Sequence, residues 1–136
     1  MPVFLDTNIL VYSISLTEAD REKRRRAEAL IAEQTCVVSI QTLQEFYVQA
    51  TRPGKTHRLT HEEAVVIVTS WLRLPVVENT AALLRSALDL KSAVNFSIWD
   101  CLIIAAARAS GCDTLYTEDM QDGREIEGVK IVNPFA

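Results

Sequence analysis

The hydrophobic residues of the chain fall into short apolar runs separated by longer stretches with helical spacing. The short runs predict strands at residues 3–5, 36–39, 74–77, 113–117 and 129–132. Apolar residues three or four positions apart predict helices over 9–15, from Thr17 to Glu33, over 41–50, after Thr60, after Asn79 or Thr80, and over 98–110. Strands and helices alternate, which is typical of an α/β sandwich with a mainly parallel sheet and helices on both faces.

The same pattern predicts which side chains point inward and where helices begin. We expect the core to include Leu83, Leu84, Ala87, Leu88, Trp71 and Trp99. Three pairs have the spacing of a capping box at a helix start, namely Thr17 with Asp20, Thr60 with Glu63, and Ser97 with Asp100. Pro75 favours an edge position for the third strand.

Length and composition indicate one globular domain over residues 1–136. Hydrophobic residues make up 49% of the chain and charged residues 24%, which argues against disorder. Apolar stretches reach about ten residues, short of the roughly 20 that cross a membrane. No basic segment precedes an apolar run at the N-terminus, so we expect a cytoplasmic protein.

The cysteine count and the net charge narrow the function classes. The chain has three cysteines, Cys36, Cys101 and Cys112. An odd number of cysteines without zinc-site spacing argues against a disulfide framework. A formal net charge of −4 disfavours a protein that simply coats nucleic acid. The charge is compatible with an enzyme acting on nucleic acid, since a divalent cation would reverse the field of a local acidic site.

Acidic residues follow the predicted strands or open the helices beside them. Asp6 comes directly after strand one, and Glu118 and Asp119 follow strand four. Glu45 and Asp100 lie near the starts of their helices, among apolar neighbours. Sites in open parallel sheets gather beyond the carboxyl ends of the strands, so all could meet at one edge.

Carboxylates that converge without basic partners repel one another, and a hard divalent cation relieves that repulsion. Mg²⁺ or Mn²⁺ suits such a site and phosphoryl chemistry. Each acid also has a structural interpretation: Asp6 as a helix cap, Asp100 as a favourable charge at a helix start, Glu45 as a half-exposed helix residue and Asp119 as a turn former. The joint arrangement favours the metal site.

Three segments resemble a known family. FLDTNILVY, SIQTLQEFYVQATRP and SIWDCLIIAAARASGCDTLYTEDM, in this order, resemble the PIN domain, specifically the VapC-type toxin ribonucleases of toxin–antitoxin pairs. The resemblance covers nearly the whole chain. It implies a PIN-like α/β/α sandwich, with a central mainly parallel sheet of four to five short strands and helices on both faces.

The resemblance also implies a function and a set of site residues. It implies an Mg²⁺- or Mn²⁺-dependent endoribonuclease with Asp6, Glu45, Asp100 and Asp119 as catalytic metal ligands. Thr7, Asn8, Ser97 and Thr117 would support them by hydrogen bonds, with Glu118 and Asp122 as further acids that could assist. Family members usually form homodimers and are held inactive by a small antitoxin, whose tail lies over the helices and can reach the acidic pocket.

Other candidates are weaker. The basic cluster that includes Arg24 and Arg25 is either a solvated helix face, the favoured interpretation, or a phosphate contact, and Arg52 with Lys55 offers a second basic patch for RNA. His57 and His61 have a zinc-like spacing but no third ligand.

Two rival functions remain open at this point. A phosphatase with an aspartyl nucleophile often carries a second aspartate two residues after the first, where this chain has Asn8, and no clear catalytic lysine follows. A non-catalytic RNA- or protein-binding scaffold with a PIN fold has no need of four clustered carboxylates.

Overall fold

A six-stranded sheet forms the centre of the computed structural model, which describes residues 1–136. Its strands are β1 Val3–Leu5, β2 Cys36–Ser39, β3 Val76–Val77, β4 Thr114–Tyr116, β5 Glu125–Ile126 and β6 Val129–Val132. Their order across the sheet is β3-β2-β1-β4-β6-β5, and every neighbouring pair is parallel except β5 and β6. The predicted mainly parallel α/β fold is confirmed, and β3 is an edge strand.

The helices connect these strands and cover both faces of the sheet. They are α1 Thr7–Ser13, α2 Arg21–Glu33, α3 Ile40–Ala50, α4 His61–Trp71, α5 Ala81–Ala93 and α6 Ile98–Ala109, with a 3₁₀ turn at Glu18–Asp20. No single helix is both long enough and apolar enough to cross a membrane. Helices α5 and α6 meet these two criteria only when they are taken together, and they are bent by 116° at their junction.

Hydroxyl side chains fix where several helices begin. Thr60 and Glu63 form the predicted reciprocal capping box, and Ser97 accepts a hydrogen bond from the Asp100 amide. Thr80, rather than Asn79, caps α5. The predicted box at Thr17 is wrong, because Thr17 makes no side-chain cap bond and the chain there forms a 3₁₀ turn.

The sixth strand exceeds the four to five that the sequence predicts. The sequence predicts no strand between residues 117 and 129, yet Glu125–Ile126 pairs with Val129–Lys130 in a tight hairpin. Its two turn residues, Glu127 and Gly128, have φ values of 49° and 85°. Positive φ at both positions suits the twist of a two-residue hairpin. Glutamate is an unusual residue for the first position, so the turn signal in the sequence is weak.

Two apolar clusters pack on opposite sides of the sheet. The first joins Phe4 and Leu115 of the strands to α5 and α6, and the second joins Leu5 and Val38 to α1 and α3. All three cysteines are buried and free, and burial raises the pKa of Cys36 to about 11.

The predicted core included three residues of α5 and α6 that the structure leaves exposed. Trp71 is buried, but Trp99 has 63% of its surface exposed, and Leu84 and Leu88 are also exposed. Helix α5 buries a narrow stripe, Leu83, Ala87 and Leu90, and α6 buries the face that begins at Cys101. The extra apolar residues therefore lie on the surface, and Trp99 stands at the start of α6 beside Asp100.

Candidate active site

The ends of β1 and β4 bring separate acidic segments together. The strands are parallel neighbours, with Leu5 opposite Tyr116, so Asp6 and residues 117–119 leave the sheet at the same edge. A cavity of about 350 Å³ opens there. It is lined by Asp6, Thr7, Asn8, Val11, Tyr12, Gln41, Glu45, Gln49, Trp99, Asp100, Ile103, Glu118 and Asp119. This is the edge at which the sequence predicts a site.

Asp6 is the most buried acid of the cavity. It caps α1, with Oδ1 accepting from the Thr7 amide at 2.7 Å and Oδ2 accepting from the Thr117 hydroxyl at 2.8 Å. Burial raises the pKa of Asp6 to about 6 despite these bonds, and repulsion from Glu45 and Asp119 adds to the rise. The carboxyl is therefore held in one orientation at a cost that a bound cation would offset.

Thr117 and Asn8 connect Asp6 to Asp119. The Asn8 amide donates to Thr117 Oγ1 at 3.2 Å and to Asp119 Oδ2 at 3.0 Å. Thr117 Oγ1 also accepts from the Asp119 backbone amide at 3.2 Å. Asp119 is exposed while Thr117 is fully buried. The buried hydroxyl thus orients both a buried and an exposed carboxylate.

Glu45 reaches the cavity from α3. Its Oε2 accepts from the Thr7 hydroxyl at 2.9 Å, and its Oε1 accepts from Gln41 Nε2 at 2.9 Å. Gln41 Nε2 also donates to the Trp99 carbonyl at 3.2 Å. Gln41 is buried and links α3 to the start of α6. Sequence analysis missed this role because the contact joins residues that are distant in sequence.

Asp100 reaches the cavity from the first turn of α6. Burial raises the pKa of its carboxyl, and repulsion from Asp119 and Glu45 raises it further, while a hydrogen bond from Ser97 opposes the rise. Ser97 also caps the helix at 3.1 Å from the Asp100 amide. Ser97 thus contacts the acid that it is predicted to support, and the supporting role itself stays a prediction.

The electrostatics of the cavity favour a cation. Five carboxylates line it, and no lysine, arginine or histidine does. The donors are oxygen atoms, the kind that hard divalent cations prefer. As the side chains stand, however, no group of three lies within common reach of one ion. Both oxygens of Asp6 and of Glu45 are held by hydrogen bonds, so an ion would require some side chains to turn toward it.

One corner of the cavity is partly neutralised. The Tyr12 hydroxyl donates to Glu118 Oε1 at 2.6 Å, and Lys23 Nζ lies 3.0 Å from Glu118 Oε2. Lys23 also lies over the rings of Tyr12 and Phe135. Sequence analysis gave Tyr12 no role in the site, and Lys23 belongs to the basic cluster that also contains Arg24 and Arg25. Glu118 thus differs from the other acids in having a basic partner.

The remaining candidates lie outside the cavity. Asp122 accepts from the Asn133 backbone amide at 2.8 Å and so holds a loop. Arg24 and Arg25 pair with Glu28 and Glu22 on their own helix, as a solvated face would. The side chains of Arg52 and Lys55 do not line the cavity either. His61 bonds to the Tyr47 hydroxyl at 2.8 Å.

Comparisons with known proteins agree with this architecture. The PIN domain family model matches residues 3–121. A toxin–antitoxin complex from Klebsiella pneumoniae has 21% identity, a TM-score of 0.69, and coverage of 97% of each chain. VapC20 of Mycobacterium tuberculosis, a toxin described as cleaving the sarcin–ricin loop, has 21% identity and a TM-score of 0.66 over 86% of this chain and 91% of that one.

A third similar structure, VapBC2 from Rickettsia felis bound to a promoter DNA fragment, has 21% identity and a TM-score of 0.65 over 96% of this chain and 97% of that one. By sequence, no match to a curated protein was found. At these identities the structural likeness establishes the fold. Because the family model spans most of the sequence, the chain belongs to the PIN domain family.

Proposed function

We propose that the chain is an Mg²⁺- or Mn²⁺-dependent endoribonuclease and the toxin of a type II toxin–antitoxin pair. The observation that carries the proposal is the cavity at the end of β1 and β4, lined by five carboxylates and no basic side chain. Membership of the PIN family and the sarcin–ricin loop cleavage described for VapC20 support nuclease chemistry on RNA.

Asp6, Glu45, Asp100 and Asp119 would hold the metal. When bound, such an ion polarises a phosphoryl oxygen and activates water for attack. Thr117 and the Thr7 amide hold Asp6 in place, and Asn8 holds Asp119, so these ligands are oriented before any substrate arrives. The phosphodiester would lie across the exposed side of the cavity, where Asp119 is accessible.

An antitoxin partner is supported by a second surface. A largely apolar groove of about 520 Å³ lies between α3 and α4 and includes the exposed residues Val48, Val65 and Leu72. Exposed aliphatic patches of this kind often mark protein contacts. One similar structure is described as a toxin–antitoxin complex, and two others are described as VapBC structures. We propose that an amphipathic segment of the antitoxin binds this groove.

The test of nuclease activity uses the purified chain, freed of partners, with total cellular RNA in Mg²⁺, Mn²⁺ or EDTA. We expect discrete fragments with either metal and none in EDTA. Asp6→Asn should abolish them, whereas Asp89→Asn, which changes an exposed aspartate of α5, should not. Absence of cleavage by the folded chain under every metal condition would favour the scaffold alternative.

The partner proposals have separate tests. Val65→Glu should weaken the complex with a co-expressed candidate antitoxin while leaving RNA cleavage by the free chain intact. An unchanged complex would place the contact elsewhere. The homodimer that the resemblance implies remains a prediction, and sedimentation equilibrium of the partner-free chain measures it directly.

A further inference from the structure

A second cavity lies directly beside the acidic one. It has a volume of about 340 Å³, within the usual range of small-molecule sites. Its lining is Gln41, Gln44, Asn79, Thr80, Ala81, Leu83, Leu84, Trp99 and Leu102. None of these side chains is charged, so the second cavity is neutral where its neighbour is strongly acidic.

Trp99 and Gln41 line both cavities and so form the boundary between them. Trp99 has 63% of its surface exposed, so its indole is accessible to a ligand. Its backbone is fixed, because the Trp99 carbonyl accepts from the same Gln41 amide that donates to Glu45. The backbone that carries the indole therefore has a defined position relative to the candidate metal ligands.

The chemistry of the second cavity matches a nucleobase. Bases are flat and uncharged, and they stack on exposed aromatic rings in single-stranded RNA recognition. Leu84 and Leu102 offer an apolar wall, and the exposed amides of Gln44 and Asn79 carry donors and acceptors for the edge of a base. A phosphate at the acidic cavity would place an adjoining base within reach of Trp99.

We propose that this cavity is a nucleobase subsite, in which a base flanking the scissile phosphate stacks on Trp99 and is read by Gln44 and Asn79. The proposal rests on the proposed ribonuclease function. In it, the acidic cavity acts on the phosphodiester backbone, and the neutral cavity selects which phosphodiester is presented.

The first experiment measures kcat and KM for an RNA oligonucleotide that spans the main cleavage site, identified by sequencing the fragment ends. Trp99→Ala should lower kcat/KM by roughly 5- to 150-fold, the range supplied by one base–aromatic stack. Trp99→Phe should remain within about threefold of the unmodified chain, since phenylalanine keeps a stacking face. Gln44→Ala and Asn79→Ala should relax the base preference beside the cut.

The decisive experiment removes the base instead of the indole. Abasic substitution on one or the other side of the cut should slow the unmodified chain about as much as Trp99→Ala does. The same abasic RNA should have little further effect on Trp99→Ala. If the abasic penalty is equal in both proteins on both sides of the cut, or if Trp99→Ala cleaves as well as the unmodified chain, the subsite proposal is overturned.

Two controls separate other roles of Trp99. Leu88→Ala removes a nearby exposed apolar side chain of α5 that does not line the cavity. If Trp99→Ala and Leu88→Ala both dissociate an assembly of copies and lose activity together, Trp99 belongs to a protein interface and the proposal fails. A raised Mn²⁺ requirement shared by Trp99→Ala and Trp99→Phe would instead indicate displacement of Asp100.

The failure of the proposed function has its own signature. If the unmodified chain yields no metal-dependent cleavage that Asp6→Asn abolishes, the ribonuclease proposal fails and the subsite proposal fails with it. If cleavage occurs and depends on Asp6 but is indifferent to Trp99 and to the flanking bases, only the subsite proposal is lost.

Discussion

Helix α3 supplies side chains to two very different surfaces. Gln41, Glu45 and Gln49, each four residues apart, line the acidic cavity, whereas Tyr47 and Val48 line the apolar groove against α4. The cavity is fixed by hydrogen bonds from several elements. The groove is bounded mainly by aliphatic side chains of α3 and α4. Under the proposed function, one helix therefore serves catalysis on one face and protein recognition on the other.

The difference in charge has a further consequence. Ionic strength and divalent cations act on the acidic cavity, because its five carboxylates are close together. The apolar groove responds to the hydrophobic effect, which depends far less on ions. Variants on the two faces of α3 should therefore separate cleavage from partner binding.

The largest expected effect comes from Glu45→Gln on the cavity face of α3. Loss of a charged ligand should lower RNA cleavage by at least about 100-fold, the upper range for loss of a mere supporting contact. Val48→Glu, on the groove face, should leave cleavage unchanged and reduce the fluorescence of a bound apolar dye. Equal losses of cleavage in both variants would refute the separation of the two faces.

Thr117→Val should have the next largest effect. The variant keeps the shape of the side chain but removes the hydroxyl that bonds Asp6, Asn8 and the Asp119 amide. We expect a 10- to 100-fold loss of cleavage, roughly the effect of losing a contact that orients metal ligands. Thr114→Val on the same strand is the control, since the Thr114 hydroxyl contacts only Asp113. Full activity of Thr117→Val would exclude an orienting role.

The stability of the metal-free chain should depend on pH through Asp6. The pKa of Asp6 is about 6 in the folded chain and 3.8 as the ordinary value, so the folded state binds the proton more tightly. Stability therefore falls as pH rises from about 4 to 6, by roughly 3 kcal/mol at most.

Asp6→Asn should lack this contribution, so in EDTA its stability advantage over the unmodified chain should grow across that window and level off above it. Urea unfolding at a series of pH values measures the difference. A difference that shrinks as pH rises would contradict a raised pKa for Asp6. Addition of Mn²⁺ at pH 7 should then stabilise the unmodified chain more than the variant.

The smallest expected effect concerns the neutralised corner of the cavity. Lys23→Met should remove the positive charge that pairs with the Glu118 carboxylate. The cavity then becomes more negative and should bind Mn²⁺ more tightly. Because Lys23 is partly exposed, the change should stay below about 1 kcal/mol, or about fivefold in the Mn²⁺ concentration for half-maximal cleavage. Lys91→Met, an exposed lysine of α5, controls for net charge. Weaker Mn²⁺ binding in Lys23→Met would reverse the assigned sign.

The sequence predicts those features that depend on local periodicity or on strand ends. The parallel strands were found because each is a short apolar run, and the placement of Asp6 and Asp119 followed from the rule that sites lie at carboxyl ends. The roles of Gln41 and Tyr12 were not predictable, since each depends on contacts between residues distant in sequence. Trp99 was misassigned because apolar neighbours in sequence do not establish which face of a helix is buried.

The three buried cysteines can be used to measure local opening of the hydrophobic core. Each thiol is enclosed, and burial raises the pKa of all three, so little reactive thiolate is available in the closed protein. Alkylation should therefore require opening of the surrounding packing, and its rate should report how readily that packing opens. Cys36 lies in the cluster beneath α3, and Cys101 and Cys112 lie in the opposite one. Mass spectrometry of the labelled peptides would then time the loosening of each side of the sheet separately, with no engineered probe.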